Sequence, residues 1–138
     1  MALSYVAHKS ALARLHHPAI AMRLTPVLLA GEVGTCSVID LELFFSARTH
    51  AELIKLRRER SAFPHLATLQ ADFDRAVDVL EALAKSGHHR AAGIPDLLIA
   101  AVAERHDLTV LHYDKDFDVI ARVTRQRCEW IVPPGSVT

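Results

Sequence analysis

The sequence predicts an α/β fold in which helices cover both faces of a central, mostly parallel sheet. Three observations favour this class. Short runs rich in apolar and β-branched residues recur along the chain, and segments with helical spacing separate them. This alternation is typical of parallel sheets, because parallel strands need a crossover connection that is usually a helix. Acidic residues also follow predicted strand ends, where open α/β sheets bind their ligands.

The composition fits one folded domain, which we assign to residues 1–138. Hydrophobic residues make up 51% of the chain, which excludes a disordered polypeptide. The formal net charge is +0, so any polyanion must be held locally rather than by the charge of the whole protein. Cys36 and Cys128 make no disulfide framework, and no Cys/His spacing indicates zinc. We recognise no leader and no membrane-spanning run, and expect a cytoplasmic protein without membrane contact.

The first predicted elements are a strand and two helical segments. The β-type run Leu3–Ala7 forms the strand and leads directly into His8. Ser10 is expected to cap a helix over Ala11–His17, which a proline then interrupts. A second helix over Ala19–Ala30 contains an internal proline, so we expect a kink or two short pieces.

The middle of the chain predicts another strand followed by a charged helix. Thr35–Ile39 is rich in β-branched residues and ends at Asp40, which we expect to cap a helix beginning at Leu41. Residues 51–60 continue as a helix whose basic side chains are typical of a solvated face. Residues 61–68 contain a proline and predict an irregular or extended connection.

Asp72–Lys85 is the clearest amphipathic helix in the sequence. Gly93 then ends the structure that precedes it. Pro95 followed by Asp96 suits the first turn of the next helix. Thr109–Tyr113 is β-rich and reads as a buried strand. The remaining predicted elements are a short helix at Val119–Ala121 and a last strand at Glu129–Val132.

Three aspartates mark a candidate site at one edge of the predicted sheet. Asp96 opens a helix, while Asp114 and Asp116 follow the strand that comes after it. Carboxylates gathered at one edge repel one another unless a cation neutralises them, and oxygen ligands of this kind suit Mg²⁺ or Mn²⁺. The ordinary alternative is that Asp96 only favours a helix start and that the other two only form a turn.

Five segments, taken in order, carry a family resemblance. They are Lys9–Arg14, Ser37–Glu42, Ile94–Ala101, His112–Phe117 and Glu129–Pro133. Each is weak alone, but together they span nearly the whole chain, which resembles the PIN-domain ribonucleases and specifically the VapC toxins of bacterial toxin–antitoxin pairs. The resemblance implies a PIN-like three-layer fold with a mostly parallel sheet flanked by helices.

The resemblance also implies an activity and a set of site residues. The activity is metal-dependent cleavage of single-stranded RNA by a water that Mg²⁺, or Mn²⁺, activates. The metal-binding and catalytic acids fall on Glu42, Asp96, Asp114 and Asp116. The hydroxyl of Ser10 falls in the same site, although a plain helix N-cap is an equally good interpretation of this serine.

His8 departs from the family pattern, because the family has an aspartate metal ligand at this position. Imidazole is a neutral nitrogen donor, whereas Mg²⁺ prefers oxygen, so His8 is a doubtful Mg²⁺ ligand that Mn²⁺ or Zn²⁺ would tolerate better. Three explanations stay open: a change introduced to silence a nuclease, a natural variant with reduced or metal-shifted activity, or a structural residue of an inactive homologue.

The remaining expectations concern partners. Lys9, Arg14 and Arg90 are candidate RNA contacts, with solvent exposure or an ion pair as the alternative. The resemblance implies a homodimer, an RNA substrate such as tRNA or rRNA, and a VapB-like antitoxin. Apolar segments at Ala11–Leu15 and Val27–Ala30 are candidates for the antitoxin groove, with core packing as the alternative.

Two other functions are alternatives to a ribonuclease. A non-catalytic module that binds antitoxin or RNA rests on His8 alone. A phosphoacceptor receiver domain needs an acidic pair after the first strand and a later lysine, and the sequence contains no convincing version of that pattern.

Overall fold

Five strands, all paired in parallel, form one sheet at the centre of the protein. The computed structural model of the chain describes residues 2–138. The strand order across the sheet is β3-β2-β1-β4-β5. The strands are β1 (Tyr5–Ala7), β2 (Val33–Cys36), β3 (His65–Leu66), β4 (Thr109–His112) and β5 (Cys128–Trp130). The predicted α/β class is confirmed, and the sheet is wholly rather than mostly parallel.

Helices connect the strands and cover both faces of the sheet. In chain order they are α1 (Lys9–Leu12), α2 (Pro18–Leu29), α3 (Ser37–Phe45), α4 (His50–Arg60), α5 (Gln70–Lys85), α6 (Ile94–Arg105) and α7 (Asp116–Thr124). Within residues 2–138, none of the helices combines the length and the apolar character that crossing a bilayer requires.

Alternating strand residues divide the core into two clusters, one on each face of the sheet. Val6 and Val110 pack into the cluster that α3, α5, α6 and α7 cover. Ala7 and Leu111, the next residue of each strand, pack into the cluster that α1 and α2 cover. Since successive strand side chains point to opposite faces, this alternation produces the three layers that the family resemblance implies.

The first helix begins earlier than the sequence predicts. It starts at Lys9 rather than Ala11, and its N-cap is His8, whose ring nitrogen Nδ1 accepts the backbone N–H of Ser10 at 3.2 Å. Ser10 lies inside the helix, so its interpretation as the N-cap is wrong. Histidine is not among the usual capping residues, which is why the sequence pattern favours the serine.

The second helix runs unbroken through Pro26, from Pro18 to Leu29. Pro18 occupies the first turn, where its missing N–H costs nothing. Fully buried Ile20 and Leu24 hold the helix against the sheet, so the one hydrogen bond that Pro26 cannot make does not divide it.

The β2–α3 junction differs most from the prediction. The strand ends at Cys36 and Ser37 already begins α3, so Asp40 lies in the first turn of the helix and caps nothing. Its carboxylate instead accepts hydrogen bonds from Thr35 Oγ1 at 2.8 Å and from Arg60 Nε at 3.1 Å. The run at 35–39 imitates a longer strand because Val38 and Ile39 are β-branched, although they pack into the core from the first turn of α3.

Candidate metal centre

The predicted acids gather at the carboxyl edge of the sheet, beside the adjacent strands β1 and β4. From β1 the chain builds outward through β2 and β3, and it then crosses back to add β4 on the other side of β1. The gap between β1 and β4 is therefore the topological switch point, where parallel sheets form their ligand-binding crevice. His8 follows β1 directly, and its backbone N–H donates to Leu111 O of β4 at 2.9 Å.

Glu42 of α3 and Asp96 of α6 converge on the His8 ring. The His8 Nε2 atom lies 2.9 Å from Asp96 Oδ1 and 3.6 Å from Glu42 Oε1. His8 is fully buried, Asp96 is nearly so, and the Glu42 side chain is 17% exposed. Lys9 Nζ lies 3.1 Å from the second oxygen of Glu42, Oε2, and forms a partly exposed ion pair with it.

Asp114 and Asp116 complete the acid cluster from the other side of Asp96. The backbone N–H of Asp116 donates to Asp114 Oδ1 at 2.9 Å, and Gly93 N–H donates to Asp116 Oδ2 at 3.2 Å. Burial, a hydrogen bond with the Asp96 carboxyl and the nearby negative charges raise the pKa of Asp116 to about 6. Negative charges this close repel one another, and a cation bound between them would relieve the repulsion.

The donor atoms fit a divalent cation. Two sets of ligand atoms each lie within 4.8 Å of one another: His8, Glu42 and Asp96 form one, and Asp96, Asp114 and Asp116 form the other. Among residues 2–138, the buried His8 Nε2 and Glu42 Oε1 have no hydrogen-bond partner. Because buried polar atoms are almost always partnered, a cation that several of them share would satisfy the cluster.

Ser10 lies in the site beside His8, where its hydroxyl contacts other residues of the chain. Its Oγ accepts the backbone N–H of Tyr113 at 2.7 Å and lies 2.8 Å from His8 Nδ1. Ser10 therefore ties the start of α1 to the end of β4 and orients the His8 ring.

His112 is a site residue whose role the sequence does not reveal. Its ring is fully buried at the end of β4, and Nδ1 accepts the backbone N–H of Asp114 at 3.1 Å. Burial lowers the pKa of His112 to about 4, so the ring is neutral near pH 7. Phe117 separates the rings of His8 and His112, with centroid distances of 4.8 and 4.9 Å. The apolar run before His112 is the only sequence signal of this burial.

The three predicted RNA-contacting cations have different surroundings. Lys9 is paired with Glu42. Arg14 donates to Ser10 O at 2.8 Å and Thr138 O at 3.1 Å, and it stacks over the Tyr113 ring. Arg90 is exposed on the loop before α6.

Comparisons with known proteins agree with this geometry. The PIN domain family model matches residues 3–123. The chain is 44% identical over 139 residues to Ribonuclease VapC21 of Mycobacterium tuberculosis (strain CDC 1551 / Oshkosh), with 99% of each chain covered. It is 43% identical over 137 residues to Ribonuclease VapC51 of M. tuberculosis (strain ATCC 25618 / H37Rv), again covering 99% of each.

A solved structure shares the fold at lower identity. The DNA-bound VapBC structure from Salmonella typhimurium matches with a TM-score of 0.77 and 18% identity, covering 94% of this chain and 99% of that one. The family is assigned from two findings: the family model matches most of the chain, and the curated relatives match over their full length. The chain belongs to the PIN-domain family, among the VapC ribonucleases.

Proposed function

We propose that this chain is the toxin of a toxin–antitoxin pair and cleaves single-stranded RNA in a reaction that depends on a divalent metal ion. The observation that carries the proposal is the convergence of Glu42, Asp96, Asp114 and Asp116 at the switch point of the sheet, around buried atoms without partners. The ribonuclease names of the full-length relatives support the reaction class. Because the substrate is RNA, we expect the protein to act in the cytoplasm.

The residues of the site have different proposed roles in binding metal and RNA. Asp96, Asp114 and Asp116 offer only oxygen donors and would hold Mg²⁺, or Mn²⁺, at the side of the cluster away from His8. When bound, such an ion acidifies a water and neutralises charge on the phosphodiester. Asp114 is kept in place by His112 and by its contact with the Asp116 backbone. Exposed Arg90 is a candidate phosphate contact on the loop before α6.

A VapB-like antitoxin is the partner that best fits the groove between α1, α2, α3 and α4. Its volume is about 320 Å³, and its lining is mostly apolar, including Leu12, Leu15, Leu28 and Phe63. Leu12, Leu15 and Leu28 fall in the two segments that the sequence indicates for the groove, whereas Phe63 follows α4. Glu52 and Glu59 also line it and would attract a basic segment of the antitoxin. The VapBC structure from Salmonella typhimurium, which shares the fold, supports a partner of this kind.

A homodimer would use a second apolar surface, which we name the α5–α6 face and define by Phe73, Val77, Leu80, Ile94 and Leu98. It surrounds a shallow cavity of about 260 Å³. Val77 is 62% exposed and Ile94 is 70% exposed, which is unusual for large apolar side chains that lie together. The face adjoins Asp96 in the first turn of α6, so a second copy bound there would lie beside the acid cluster.

RNA cleavage assays test the proposal directly. We expect the chain to cleave single-stranded RNA only in the presence of a divalent ion, and Asp114→Asn to abolish cleavage while the protein stays folded. Total tRNA, rRNA and a synthetic single strand would be compared with duplex RNA. Full cleavage in the presence of a chelator, or by the Asp114→Asn variant, would contradict the proposal.

The second candidate is a non-catalytic PIN-fold module that binds antitoxin or RNA. The observation that favours it is His8, an imidazole where the family has an aspartate. His8→Asp separates the two candidates when it is assayed beside the unmodified chain with Mg²⁺ and Mn²⁺. Cleavage by the aspartate variant alone indicates a silenced nuclease, cleavage by neither favours the binding module, and cleavage by both favours the active enzyme.

A further inference from the structure

The two donor sets at the acid cluster differ in their chemistry. The set of Asp96, Asp114 and Asp116 contains only carboxylates, and the set of His8, Glu42 and Asp96 contains an imidazole. We name the second set the mixed corner. Asp96 belongs to both sets, so the mixed corner is adjacent to the all-oxygen set rather than identical with it.

Two unpartnered atoms face each other in the mixed corner. His8 Nε2 and Glu42 Oε1 are buried, have no hydrogen-bond partner among residues 2–138, and lie 3.6 Å apart. Asp96 Oδ1 lies 2.9 Å from Nε2, yet Nε2 makes no aligned hydrogen bond to it. A nitrogen and two oxygens at such separations are typical of ligand atoms around one small cation, because coordination distances near 2.1 Å separate neighbouring ligands by about 3 Å.

The other polar atoms of Glu42 and His8 are already engaged. Lys9 Nζ pairs with Glu42 Oε2 at 3.1 Å, which leaves Oε1 as the free carboxylate oxygen. Ser10 Oγ lies 2.8 Å from His8 Nδ1 and also accepts the Tyr113 N–H. The surrounding chain therefore directs one atom of each side chain, Nε2 and Oε1, toward the corner.

The tautomer of His8 decides what the corner can bind. With the proton on Nδ1, the ring donates to Ser10 Oγ and presents the Nε2 lone pair, as metal-bound imidazoles do when their other nitrogen donates to an oxygen. With the proton on Nε2, the N–H would be buried between two carboxylates without an aligned bond. In the structure Nδ1 accepts the Ser10 N–H at 3.2 Å, which is the second tautomer; a cation bound at Nε2 would favour the first, in which Nδ1 donates to Ser10 Oγ at 2.8 Å.

We propose that His8 Nε2, Glu42 Oε1 and Asp96 Oδ1 form a nitrogen-containing site that selects a first-row transition-metal dication over Mg²⁺. Imidazole suits ions such as Zn²⁺ and Co²⁺, whereas Mg²⁺ prefers an all-oxygen shell. Ser10 is a positioning residue that acts through His8 by fixing its tautomer. The inference rests on the proposed function only in requiring that the acid cluster binds metal.

Metal-binding measurements on the purified, metal-free chain test the inference without an activity assay. Titration calorimetry would give the affinities for Co²⁺ and Mg²⁺, and the visible absorption of bound Co²⁺ would report its ligands. We expect His8→Asp to lower the ratio of Co²⁺ to Mg²⁺ affinity at least 10-fold. His89→Asp, which makes the same change at an exposed histidine, should leave the ratio unchanged. An equal ratio in the unmodified chain and the His8→Asp variant would overturn the inference.

A second readout uses the unmodified protein and so does not depend on a variant that folds. Nitrogen-15 chemical shifts of the histidine rings distinguish a protonated nitrogen from a metal-bound one. With saturating Zn²⁺ we expect His8 to carry its proton on Nδ1 and to bind the ion through Nε2. A proton that remains on Nε2 would overturn the inference.

Ser10→Ala tests the positioning role of the serine. We expect it to weaken Co²⁺ binding about 10-fold, as the loss of an orienting partner does, and to leave the nitrogen signature of bound His8 detectable. Ser10→Thr keeps the hydroxyl and should restore the affinity. Unchanged Co²⁺ affinity in Ser10→Ala would overturn the role of Ser10.

The outcomes separate this inference from the proposed function. Failure to cleave RNA with any divalent ion, while Co²⁺ still binds through His8, would overturn the ribonuclease proposal and keep the mixed corner. Metal-dependent cleavage with no difference in metal preference between the unmodified chain and the His8→Asp variant would overturn the mixed corner and keep the ribonuclease.

Discussion

Arg105, at the end of α6, holds the Asp72 carboxylate of α5 through two parallel hydrogen bonds. Nε donates to Oδ1 at 2.9 Å and Nη2 donates to Oδ2 at 3.0 Å. The Leu69 backbone N–H adds a third bond to Oδ2 at 2.8 Å. Asp72 is only 2% exposed while Arg105 is 30% exposed, so the pair links the two helices from the surface to a buried carboxylate. Paired planar groups of this kind are among the stronger ion pairs in proteins.

Asp72→Asn should therefore destabilise the protein by roughly 1–3 kcal/mol at pH 7, because the buried hydrogen bonds lose their charged acceptor. Burial of Asp72 disfavours its charged form, but the hydrogen bonds from Arg105 and Leu69 outweigh burial and lower its pKa below the ordinary value. The stabilisation is thus complete above about pH 4 and is lost as the pH falls through the lowered pKa. Urea unfolding at pH 7 and at pH 3 measures the free energy of unfolding of the unmodified chain and of Asp72→Asn. A difference between the two proteins that is as large at pH 3 as at pH 7 would contradict the prediction.

Asp40 is expected to stabilise the fold and not to bind metal. Its carboxylate pairs with Arg60, which is 7% exposed, and it also accepts the Thr35 hydroxyl. Asp40→Ala should cost about 3 kcal/mol, because it leaves a buried guanidinium without its partner. The double variant with Arg60→Leu should regain much of that loss. Urea unfolding measures the stability, and a Mn²⁺ affinity that falls while the variant is still folded would instead make Asp40 a ligand.

His112 is expected to act on metal binding through Asp114. Its Nδ1 accepts the Asp114 N–H, and an asparagine can offer a carbonyl oxygen at a similar position whereas a leucine cannot. His112→Leu should bind Mn²⁺ about 10-fold more weakly than His112→Asn, as loss of an outer hydrogen bond to a ligand does. Electron paramagnetic resonance of free Mn²⁺ gives both affinities. Equal affinities for two folded variants would show that the contact has no such role.

The α5–α6 face is expected to mediate self-association. Val77→Lys places a charge in the centre of this apolar surface and should shift the protein toward the monomer, because an unpaired ammonium cannot be buried at an interface. Met22→Lys makes a matched change at an 80% exposed residue on α2, away from the face, and should leave the assembly unchanged. Sedimentation velocity measures both. A Val77→Lys protein with the sedimentation coefficient of the unmodified chain would exclude this face.

Much of the fold follows from local signals. The buried strand β4 lies almost where the sequence predicts it. The same holds for α6, which begins at Ile94 after the N-cap Gly93 and has Pro95 in its first turn. Thr49 caps α4 by accepting the Glu52 N–H, as its residue type favours. The β2–α3 boundary is misplaced because a β-branched run continues from the strand into the helix, and other elements lack a local pattern altogether. The two-residue strand β3 is too short for any periodicity, and it exists only because β2 offers it an edge to pair with.

Some features of the candidate site could likewise be predicted from the sequence and others could not. Residue type and position after strands were enough to predict that Asp96, Asp114 and Asp116 would share a site, because parallel strands end at a common edge, and the family resemblance added Glu42. The hydrogen-bond partners of these residues were not predictable. The Asp40 carboxylate accepts a hydrogen bond from Arg60, which lies twenty residues further along the chain. The His112 ring accepts the backbone N–H of Asp114, two residues after it.

The amino-acid order alone determined the class of fold and the clustered aspartates, since these follow from residue type, spacing and period, and the family resemblance added Glu42 and the departure at His8. Only the folded chain decided how the His8 ring is turned. Lys9 pairs with one oxygen of Glu42, and Ser10 contacts one ring nitrogen of His8. Packing of three separate elements then leaves His8 Nε2 and Glu42 Oε1 facing each other. Such an arrangement depends on residues that are distant in the chain and adjacent in space, and no local pattern encodes it.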